Sequence, residues 1–551
     1  MRGQSRTGPG IAAAAGLIAL VTLGARVFGF ARWLEFSRSV GATCVGTVYQ
    51  AANSLPNVLF EVAAGGALAA AAVPLIAGAL GRGNTAEADR VGSALLSWTV
   101  LLLTPASIVL ALLAGPLGGW LVDDRACPGG GELAAYMIRL FAPQVVLYGI
   151  GIVLAGVLQA HRRFLAAALA PLLSSVVVIL SYAAYGHLAQ GATSIDRVPP
   201  EAFLALAAGT TLGVVVLSVP LAVPIWRTGV RLRPTLHFPP DGASRVRALA
   251  GTGVLALLAQ QFAVVATIVV TTRAGIGVLN VVTYVQTAYL LPYAVLAVPL
   301  ATATFPALAT MEGAATRVYR GQKARERDTD AARPVLARSL RSMTLLGALG
   351  AGVLAAVSRP LGEFFASLDA GRITSTGREV LDAMPDAVLA FAPGLPSLCV
   401  AALLTRALYV RGRPLLAGSA VAAGWLIAGS APLALVPHDS SPARALVVLG
   451  VSSSVGMSLA ALDLVAATAR SWGTPALEGL RRTTVVSVAA GVLGAGAGLA
   501  LTTVWTVDGL LSAVAQGVVV AALVLVLELV VVTRGDRATT DLLLARIRRR
   551  P

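Results

Sequence analysis

Two arginines, Arg26 and Arg32, lie inside the first long apolar segment of the chain, residues 11–40. Placing a guanidinium at the centre of a membrane helix costs about 2.5–3.5 kcal/mol on insertion scales. Arginine stays protonated at any physiological pH, so it cannot lower this cost by becoming neutral. If the segment crosses a membrane, both side chains need an anionic partner or a water-filled cavity. The segment therefore predicts a protein that binds an anionic group within a bilayer.

The rest of the chain has the composition of a polytopic membrane protein. Hydrophobic residues make up 57% of the 551 residues and charged residues only 12%, against about 25% in soluble domains. Fourteen apolar segments each exceed the ~20 residues that a helix needs to cross the hydrocarbon core. They lie at about 11–40, 46–80, 91–120, 133–158, 164–186, 202–226, 248–272, 278–310, 339–362, 386–408, 414–436, 445–469, 483–505 and 509–533. These segments predict an all-α fold with fourteen transmembrane helices.

The loops between the segments differ sharply in basic charge. Loops that alternate to one side, together with both ends of the chain, carry 31 of the 42 Lys and Arg residues, and the opposite loops carry seven. The positive-inside rule then predicts that both termini are cytoplasmic. Topology, rather than nucleic-acid binding, therefore explains most of the net charge of +16. The first segment is too long for a cleavable signal peptide, so it is expected to remain as an anchor.

Two interpretations of Arg32 follow from its neighbours. Glu35 is three residues from both Arg32 and Arg38, so a ladder of ion pairs along the helix is one possible role. Contact with a bound ligand is the other. Arg26 has no such local partner and is therefore the stronger candidate for ligand binding.

Glu61, in the second segment, is the other deep charge of the N-terminal half. It can pair with Arg26 or Arg32, or it can serve as a proton-coupling carboxylate. The ion pair is favoured, because a buried charge needs a partner in any case. Two acids in later segments, Asp463 and Glu528, are expected to be structural, with Asp463 a weaker candidate for coupling.

Proline recurs in the second helix of each predicted half. Fourteen segments divide into two halves of six, which share one orientation, plus two more. Segment 2 contains Pro56 and Pro74, and segment 8 contains Pro292, Pro299 and Pro306. Proline bends a helix and frees backbone carbonyls, so these positions predict a hinged pair of helices that face a central cavity.

Small residues add to the candidate hinges. Gly29 lies between the two arginines and permits a bend in the first helix. The run that begins at Gly65 and Gly66 permits either close helix packing or a point of unwinding. The full set of hinge and gating candidates is Gly29, Pro56, Asn57, Gly65, Gly66, Pro74 and Pro292.

The remaining chemistry of the chain points away from catalysis. The four histidines lie in separate loops without metal-ligand spacing, and the chain has neither a P-loop nor a G-x-S-x-G motif. No enzyme activity, metal or cofactor is expected, so an ion gradient or the membrane potential would drive transport. Cys44 and Cys127 lie in loops predicted to be outside, where a disulfide between them is permitted; two free thiols are the alternative.

Several motifs resemble the MurJ/MviN family of lipid II flippases. Residues 22–42 contain the spacing R-x-x-G-x-x-R, then an apolar run and R-x-x-G-A, which is similar to the opening of that family. Further similar motifs are Leu55-Pro56-Asn57, Gly66-Ala67, Val73-Pro74, Pro143-Gln144, Tyr148-Gly149, residues 156–160, Arg163-Phe164, Ala170-Pro171, Gly251 with Gln261, Leu291-Pro292-Tyr293 and Phe305-Pro306. The span pattern matches over about residues 10–540, and the specific motifs concentrate in residues 20–175. The arginine-rich composition resembles the actinobacterial branch.

The resemblance implies the fold of the MOP exporter superfamily, two six-helix lobes plus two C-terminal helices. It implies that undecaprenyl-pyrophosphate-linked peptidoglycan precursor, lipid II, is flipped from the inner to the outer leaflet by alternating access. Arg26 and Arg32 match the family's cavity arginines, which are expected to hold the pyrophosphate by bidentate hydrogen bonds. Glu61 and Gln261 complete the expected substrate-binding set.

The chain departs from the family at two expected anion contacts. Phe60 and Glu61 stand where many members carry basic residues, and Thr287 stands where many carry an arginine. Segments 7 and 11 lack the carboxylates that form a sodium site in some members. Two alternatives therefore stay open: another MOP-type exporter of drugs or lipid-linked oligosaccharides, and a transport-inactive divisome scaffold.

The expected organisation follows from the segments and the resemblance. Residues 1–226 form an N-lobe with helices 1–6, 227–247 a cytoplasmic linker, and 248–470 a C-lobe with helices 7–12 and the cytoplasmic loop 311–338. Residues 471–533 hold the last two helices, and 534–551 form a basic cytoplasmic tail. The protein is expected to be a monomer in the cell membrane that binds lipid II and membrane lipids but no nucleic acid. Cell-wall synthesis or division proteins are candidate partners.

Overall fold

A computed structural model of the chain describes residues 9–227, 229–238, 253–302, 304, 308, 322–369, 375–438, 440–539 and 541. Within these ranges the chain is helical and contains no strand. The helices, numbered in chain order, are α1 Pro9–Ser39, α2 Cys44–Phe60, α3 Gly66–Gly81, α4 Thr85–Leu112, α5 Ala114–Leu121, α6 Gly130–Phe141, α7 Gln144–Ala160, α8 Phe164–Ala189, α9 Pro200–Ser218, α10 Ala222–Trp226, α11 Val254–Ala274, α12 Val278–Pro292, α13 Gln322–Ala356, α14 Ser358–Asp369, α15 Ser375–Asp382, α16 Met384–Phe391, α17 Gly394–Val410, α18 Pro414–Leu435, α19 Pro442–Trp472, α20 Leu480–Val504 and α21 Leu510–Gly535.

The described residues include eleven helical stretches that are long and apolar enough to cross a membrane, or twelve if the bent pair Gly377–Phe391 and Gly394–Val410 is one span. The two other predicted segments coincide with α1 and with α2–α3. A helix therefore lies at each of the fourteen predicted segments, and the all-α polytopic membrane fold is confirmed. That all fourteen cross the bilayer stays a prediction.

The chain divides into two compact units, the first formed by the described residues up to Val254 and the second by those from Leu255 onward. In the first unit α1 and α9 pack along α8, while α4 packs along α7. In the second unit α13 and α21 pack along α20, and α18 packs along α19. The exact domain ranges expected from the sequence stay predictions. Parts of them, including 239–247, 311–321, 542–551 and Pro306, lie outside the described residues.

An aromatic cluster fixes the interior of the first unit. Phe36 of α1 lies with its ring centroid 5.5 Å from that of Tyr49 on α2 and 5.2 Å from that of Tyr182 on α8. Phe141 of α6 contacts Tyr49 edge-on at 5.7 Å. The Tyr49 hydroxyl also hydrogen-bonds Tyr182 at 2.9 Å and Thr210 of α9 at 3.0 Å. Because buried hydroxyl groups need such partners, this cluster joins five helices, α1, α2, α6, α8 and α9.

A tight turn joins α1 to α2 beside this cluster. Gly41 has a φ of 71°, in the left-handed region that glycine adopts without a Cβ clash. The Thr43 hydroxyl then accepts a hydrogen bond from the Gly46 amide at 3.1 Å and caps the start of α2. The turn joins α1 to α2 within the first unit.

The second helix of each predicted half contains a π-helical segment. In the first unit Glu61–Gly65 connects α2 to α3, and in the second unit Tyr293–Ala297 directly follows Pro292 at the end of α12. A π-helical segment is rare, and it occurs frequently at functional sites. The proline pattern therefore pointed correctly to matching backbone irregularities, although their role as hinges stays a prediction.

Candidate functional site

Arg32 lies on α1 in the first unit, where its charge acts on tyrosines of α2, α7 and α8. Its guanidinium carbon is 5.2 Å from the centroid of the neighbouring Trp33 ring, and its Nε atom is buried without a hydrogen-bond partner. The positive charge acts electrostatically on the hydroxyls of Tyr49, Tyr148 and Tyr182. A half-buried guanidinium with an unpartnered Nε–H is a suitable contact for an anionic ligand.

The ion-pair ladder expected around Arg32 is not formed. Glu35 instead accepts a hydrogen bond from the Ser39 hydroxyl, one turn further along α1. Among the described side chains no carboxylate oxygen lies within 4.0 Å of a nitrogen of Arg32 or Arg38, and the one such ion pair is Arg82–Glu87. The structural interpretation of Arg32 as part of a ladder is therefore wrong, because a hydroxyl four residues away competes for the carboxylate.

Arg26 and Glu61 occupy different surroundings. Arg26 is exposed on α1, and Glu61 is half-buried at the start of the π-helical segment. The favoured pairing of Glu61 with either arginine is not formed, since no described guanidinium lies within 4.0 Å of its carboxylate. Arg32, and not Arg26, is the arginine whose charge acts on the hydroxyls of Tyr49, Tyr148 and Tyr182.

A polar stripe on α2 was missed by the sequence reasoning. Gln50, Asn53, Ser54, Asn57 and Glu61 fall within about 100° of one helix face at 100° per residue. Asn53 Oδ1 and Gln50 Nε2 are buried without hydrogen-bond partners. The signal for this stripe in the sequence is the helical spacing of its polar residues, most of which are uncharged.

Tyr148 of α7 lies beside the end of α2. Its hydroxyl lies 3.4 Å from Gln144 Oε1, and its ring centroid is 5.8 Å from that of Phe60 at the end of α2. Phe60 is buried and fills the position where many relatives are expected to carry a basic residue. The first unit therefore presents one guanidinium, several uncharged donors and an apolar ring.

The other expected site residues are scattered. Gln261 is buried on α11 in the second unit. Helix α1 runs without a break through Gly29, Pro56 is buried within α2, and Asn57 is exposed next to it. Pro74 is exposed within α3. Gly65 ends the first π-helical segment and Gly66 begins α3.

The second unit also contains an arginine within a helix that was not among the site residues predicted from the sequence. Arg406 lies within α17, half-buried, and donates a hydrogen bond from Nη1 to the Ala402 carbonyl at 2.6 Å. Its charge acts on the hydroxyls of Tyr293, in the second π-helical segment, and Tyr409. Thr287, where the resemblance implies an arginine, turns its hydroxyl to the Thr283 carbonyl at 2.8 Å.

Cys44 and Cys127 lie together in the first unit. Cys44 begins α2, and Cys127 lies in the turn before α6. The structure joins their sulfur atoms, and the two Cα atoms are 5.8 Å apart, a separation that disulfides commonly have. This geometry supports a disulfide between Cys44 and Cys127. Cys399 is a buried free thiol.

The fold is similar to those of two solved membrane transporters. It is similar to a solved structure of the lipid II flippase MurJ in an inward closed conformation, with a TM-score of 0.70 and 15% identity over 94% of this chain and 99% of that one. It is also similar to an inward-facing multidrug resistance MATE family transporter of the MOP superfamily. The TM-score is 0.58, with 15% identity over 87% of this chain and 98% of that one. At such identities the likeness establishes the fold alone.

The family follows from the sequence profile described as "Lipid II flippase MurJ", which matches residues 36–520. The chain belongs to this family. It is 28% identical over 256 residues to a probable lipid II flippase MurJ of Synechocystis sp., covering 45% of this chain and 46% of that protein. It is 27% identical over 294 residues to lipid II flippase MurJ of Burkholderia cenocepacia, covering 52% and 55%. The chain thus spans about half the length of these curated relatives. The profile match begins after Arg26 and Arg32, so it includes neither.

Proposed function

We propose that the chain flips lipid II from the inner to the outer leaflet of the cell membrane by alternating access. Membership of the MurJ family over residues 36–520 is the observation that carries this proposal. The membrane-type helices and the MOP fold support it, because a flippase must expose one site to each side of the bilayer in turn. Under this proposal the chain is a transporter and not an enzyme.

Arg32 supplies the main anion contact of the proposed site. A guanidinium donates paired hydrogen bonds to phosphate oxygens and keeps its charge in the membrane. The Tyr148 hydroxyl and the amide groups of Asn53 and Asn57 are proposed as additional uncharged donors. Arg26, being exposed, is proposed as an outer contact for the incoming pyrophosphate. Glu61 is proposed as the acid that a bound pyrophosphate would repel.

The two π-helical segments are the proposed hinges of the cycle. Each follows the proline of its helix, at Pro56 and at Pro292 respectively. Local rearrangement of a π-helical segment changes helix direction without loss of many hydrogen bonds. Gly29, Gly65 and the remaining predicted hinge residues, Asn57, Gly66 and Pro74, are proposed to assist, and Gln261 is proposed as a contact from the second unit.

The proposed setting is that expected from the sequence. Both termini and the basic tail are cytoplasmic, and the six-helix lobes are followed by two further helices. The ligands are lipid II and membrane lipids, with cell-wall synthesis or division proteins as partners and a monomer as the working state. The positive-inside distribution of Lys and Arg supports the orientation.

Complementation tests the proposal and its anion contact. A MurJ-depleted bacterium would receive wild type, Arg32→Ala, Arg32→Lys, Arg26→Ala, Arg26→Lys or Arg38→Ala, with membrane levels checked by immunoblot. We expect rescue by wild type and by Arg38→Ala, the matched control at an exposed arginine of the same helix. Arg32→Ala should fail, and Arg32→Lys should rescue weakly because an ammonium cannot bind phosphate in bidentate fashion.

The outcomes separate the function from the site. Rescue by all variants would overturn the role of Arg32 and leave the flippase proposal standing. Wild type could also fail to rescue although its membrane levels are normal. If a leaflet assay then shows that the precursor is still not exported, a transport-inactive scaffold would be favoured. Rescue by wild type together with failure of Arg32→Ala would support both proposals.

A further inference from the structure

Helix α21 buries one acid in a largely apolar stripe. Its buried residues follow helical spacing and are Ala513, Gln516, Val520, Val524, Glu528 and Val532. Glu528 has 0% of its surface exposed. The buried residues one turn before and after it, Val524 and Val532, are valines. It lies between a cluster formed with Leu345, Leu349 and Ala490 and a second cluster formed with Ala356. An acid buried at this depth is costly and therefore indicates a function.

Among the residues that the structure describes, no hydrogen bond or ion pair stabilises this carboxyl as an anion. Both oxygens of Glu528 are buried without a hydrogen-bond partner, and no described cation lies within 4.0 Å of them. On α13 the nearest ionisable residue is Arg341, eleven positions before Gly352. On α20 it is Arg482, nine positions before Gly491. The α14 helix contacts α21 near Gly517, far from Glu528, through Pro360.

Three glycines leave the space that the carboxyl occupies. A Cβ atom added to Gly352 of α13 would collide with Glu528 Oε1, and one added to Gly494 of α20 would lie 2.7 Å from the same oxygen. Gly491 borders Gly352 at the same level, because a Cβ on Gly352 would lie 2.8 Å from the Gly491 Cα. The three helices therefore approach closely around a single carboxyl group, which leaves no room for a hydration shell.

We propose that Glu528 is a proton-binding site, occupied in this conformation and held by the glycines of α13 and α20. An isolated carboxylate in an apolar site is neutralised by taking up a proton. The neutral acid fits between the three helices, whereas the anion needs water and therefore requires the helices to separate. A proton-binding carboxyl within the bilayer is the kind of group on which a proton gradient acts in pumps and transporters. The site is independent of the proposed anion contact at Arg32.

Labelling of the full-length protein tests the proton directly. An apolar carbodiimide reacts with protonated carboxyl groups, and the purified protein in detergent would be treated at neutral pH and mapped by mass spectrometry. We expect label at Glu528 and none at Glu201, an exposed acid at the start of α9 that serves as the hydrated comparison. Labelling should fall as the pH is raised further.

Infrared spectroscopy supplies the matched comparison. Wild type should show the carbonyl band of a neutral carboxyl at neutral pH, Glu528→Gln should lack it, and Glu201→Gln should keep it. Absence of both the label and the band in folded wild type at neutral pH would overturn the proposal. If Glu528→Gln fails to fold, the pH dependence of labelling in wild type decides alone: label that persists at neutral pH supports the site, and its absence refutes it.

Discussion

Asp536 shows how one side chain fastens the last helix to its neighbour. It follows α21 directly, is 4% exposed, and accepts hydrogen bonds from the Thr483 hydroxyl at 2.5 Å and the Thr539 hydroxyl at 2.7 Å. Burial alone would raise the pKa of Asp536, but these hydrogen bonds and the charge of Arg341 hold its pKa below the usual value. The carboxylate is thus a charged link between the ends of α20 and α21.

The pH dependence of this link follows from the lowered pKa. The contribution of Asp536 is fully present above pH ~3.9, the unperturbed value, and is lost as the pH falls through the lower folded pKa. We expect Asp536→Asn to cost about 1–3 kcal/mol at neutral pH, the worth of hydrogen bonds to a charged group. The measurement is the thermal midpoint of purified wild type and variant from neutral to strongly acidic pH.

The difference in thermal midpoint between Asp536→Asn and wild type should become smaller as the pH falls, because acid removes the charge of Asp536 in the wild type as well. Asp508→Asn, an exposed acid just before the other end of α21, is the control and should leave the midpoint unchanged. A difference between Asp536→Asn and wild type that stayed constant through the acidic range would contradict the charged link.

Single residues were the least predictable part of the site. The sequence identified Arg32 as a charge in the membrane, since hydropathy reveals that without any structure. It could not reveal that Glu35 would turn to Ser39, because two partners at similar sequence distance compete and packing decides between them. The tyrosines around Arg32 come from α2, α7 and α8, and no local pattern brings them together.

At the scale of elements, residues 229–238 form an extended strap along α4. The amides of Arg231, Arg233 and Thr235 donate to side-chain oxygens of Asp89 at 3.1 Å, Ser93 at 3.0 Å and Ser97 at 3.0 Å. Two extended residues advance about 6.7 Å and four helical residues about 6.0 Å. Every second backbone amide of the strap therefore lies beside every fourth side chain of α4. A cavity of about 750 Å³ lies between the strap and α4.

Removing the serine hydroxyls should loosen the strap. The double variant Ser93→Ala, Ser97→Ala loses two hydrogen bonds worth about 0.5–1.5 kcal/mol each, so local opening should increase about fivefold or more. Limited trypsinolysis measures this, because Arg231 precedes leucine and is cleavable, whereas Arg233 precedes proline. Ser97→Thr keeps the hydroxyl and should behave like wild type. Equal cleavage rates in the double variant and wild type would show that the hydrogen bonds do not hold the strap.

Elements were predicted far better than the contacts between them. Long apolar runs gave a helix at each expected segment, because a buried backbone in a bilayer has to satisfy its hydrogen bonds internally. Prolines pointed to the irregular second helix of each half, although not to its π-helical form. The strap was missed because its hydrogen bonds join residues about 140 positions apart and its sequence lacks a strand pattern.

At the scale of the whole molecule, the two cysteines bear on the orientation of the chain. Cys44 and Cys127 are 83 positions apart, yet their loops meet, so both loops lie on one side of any membrane that the intervening helices cross. Disulfides persist in oxidising compartments and are rare in the cytoplasm. If the bridge is present in cells, this side is the outer one, and the positive-inside assignment gains support from chemistry that does not depend on charge.

We therefore expect the chain made in cells to carry the Cys44–Cys127 bridge. Trypsin cleavage after Arg82, between α3 and α4, should leave two fragments joined on a non-reducing gel and separate on a reducing one. Cys127→Ser should yield separate fragments on both, and Cys399→Ser, at the buried free thiol, should behave like wild type. The bridge should add about 2–4 kcal/mol of stability by restricting the unfolded chain. Two results together would place these loops inside and reverse the orientation. The fragments would separate without reductant, and an impermeant maleimide would label neither thiol in intact cells.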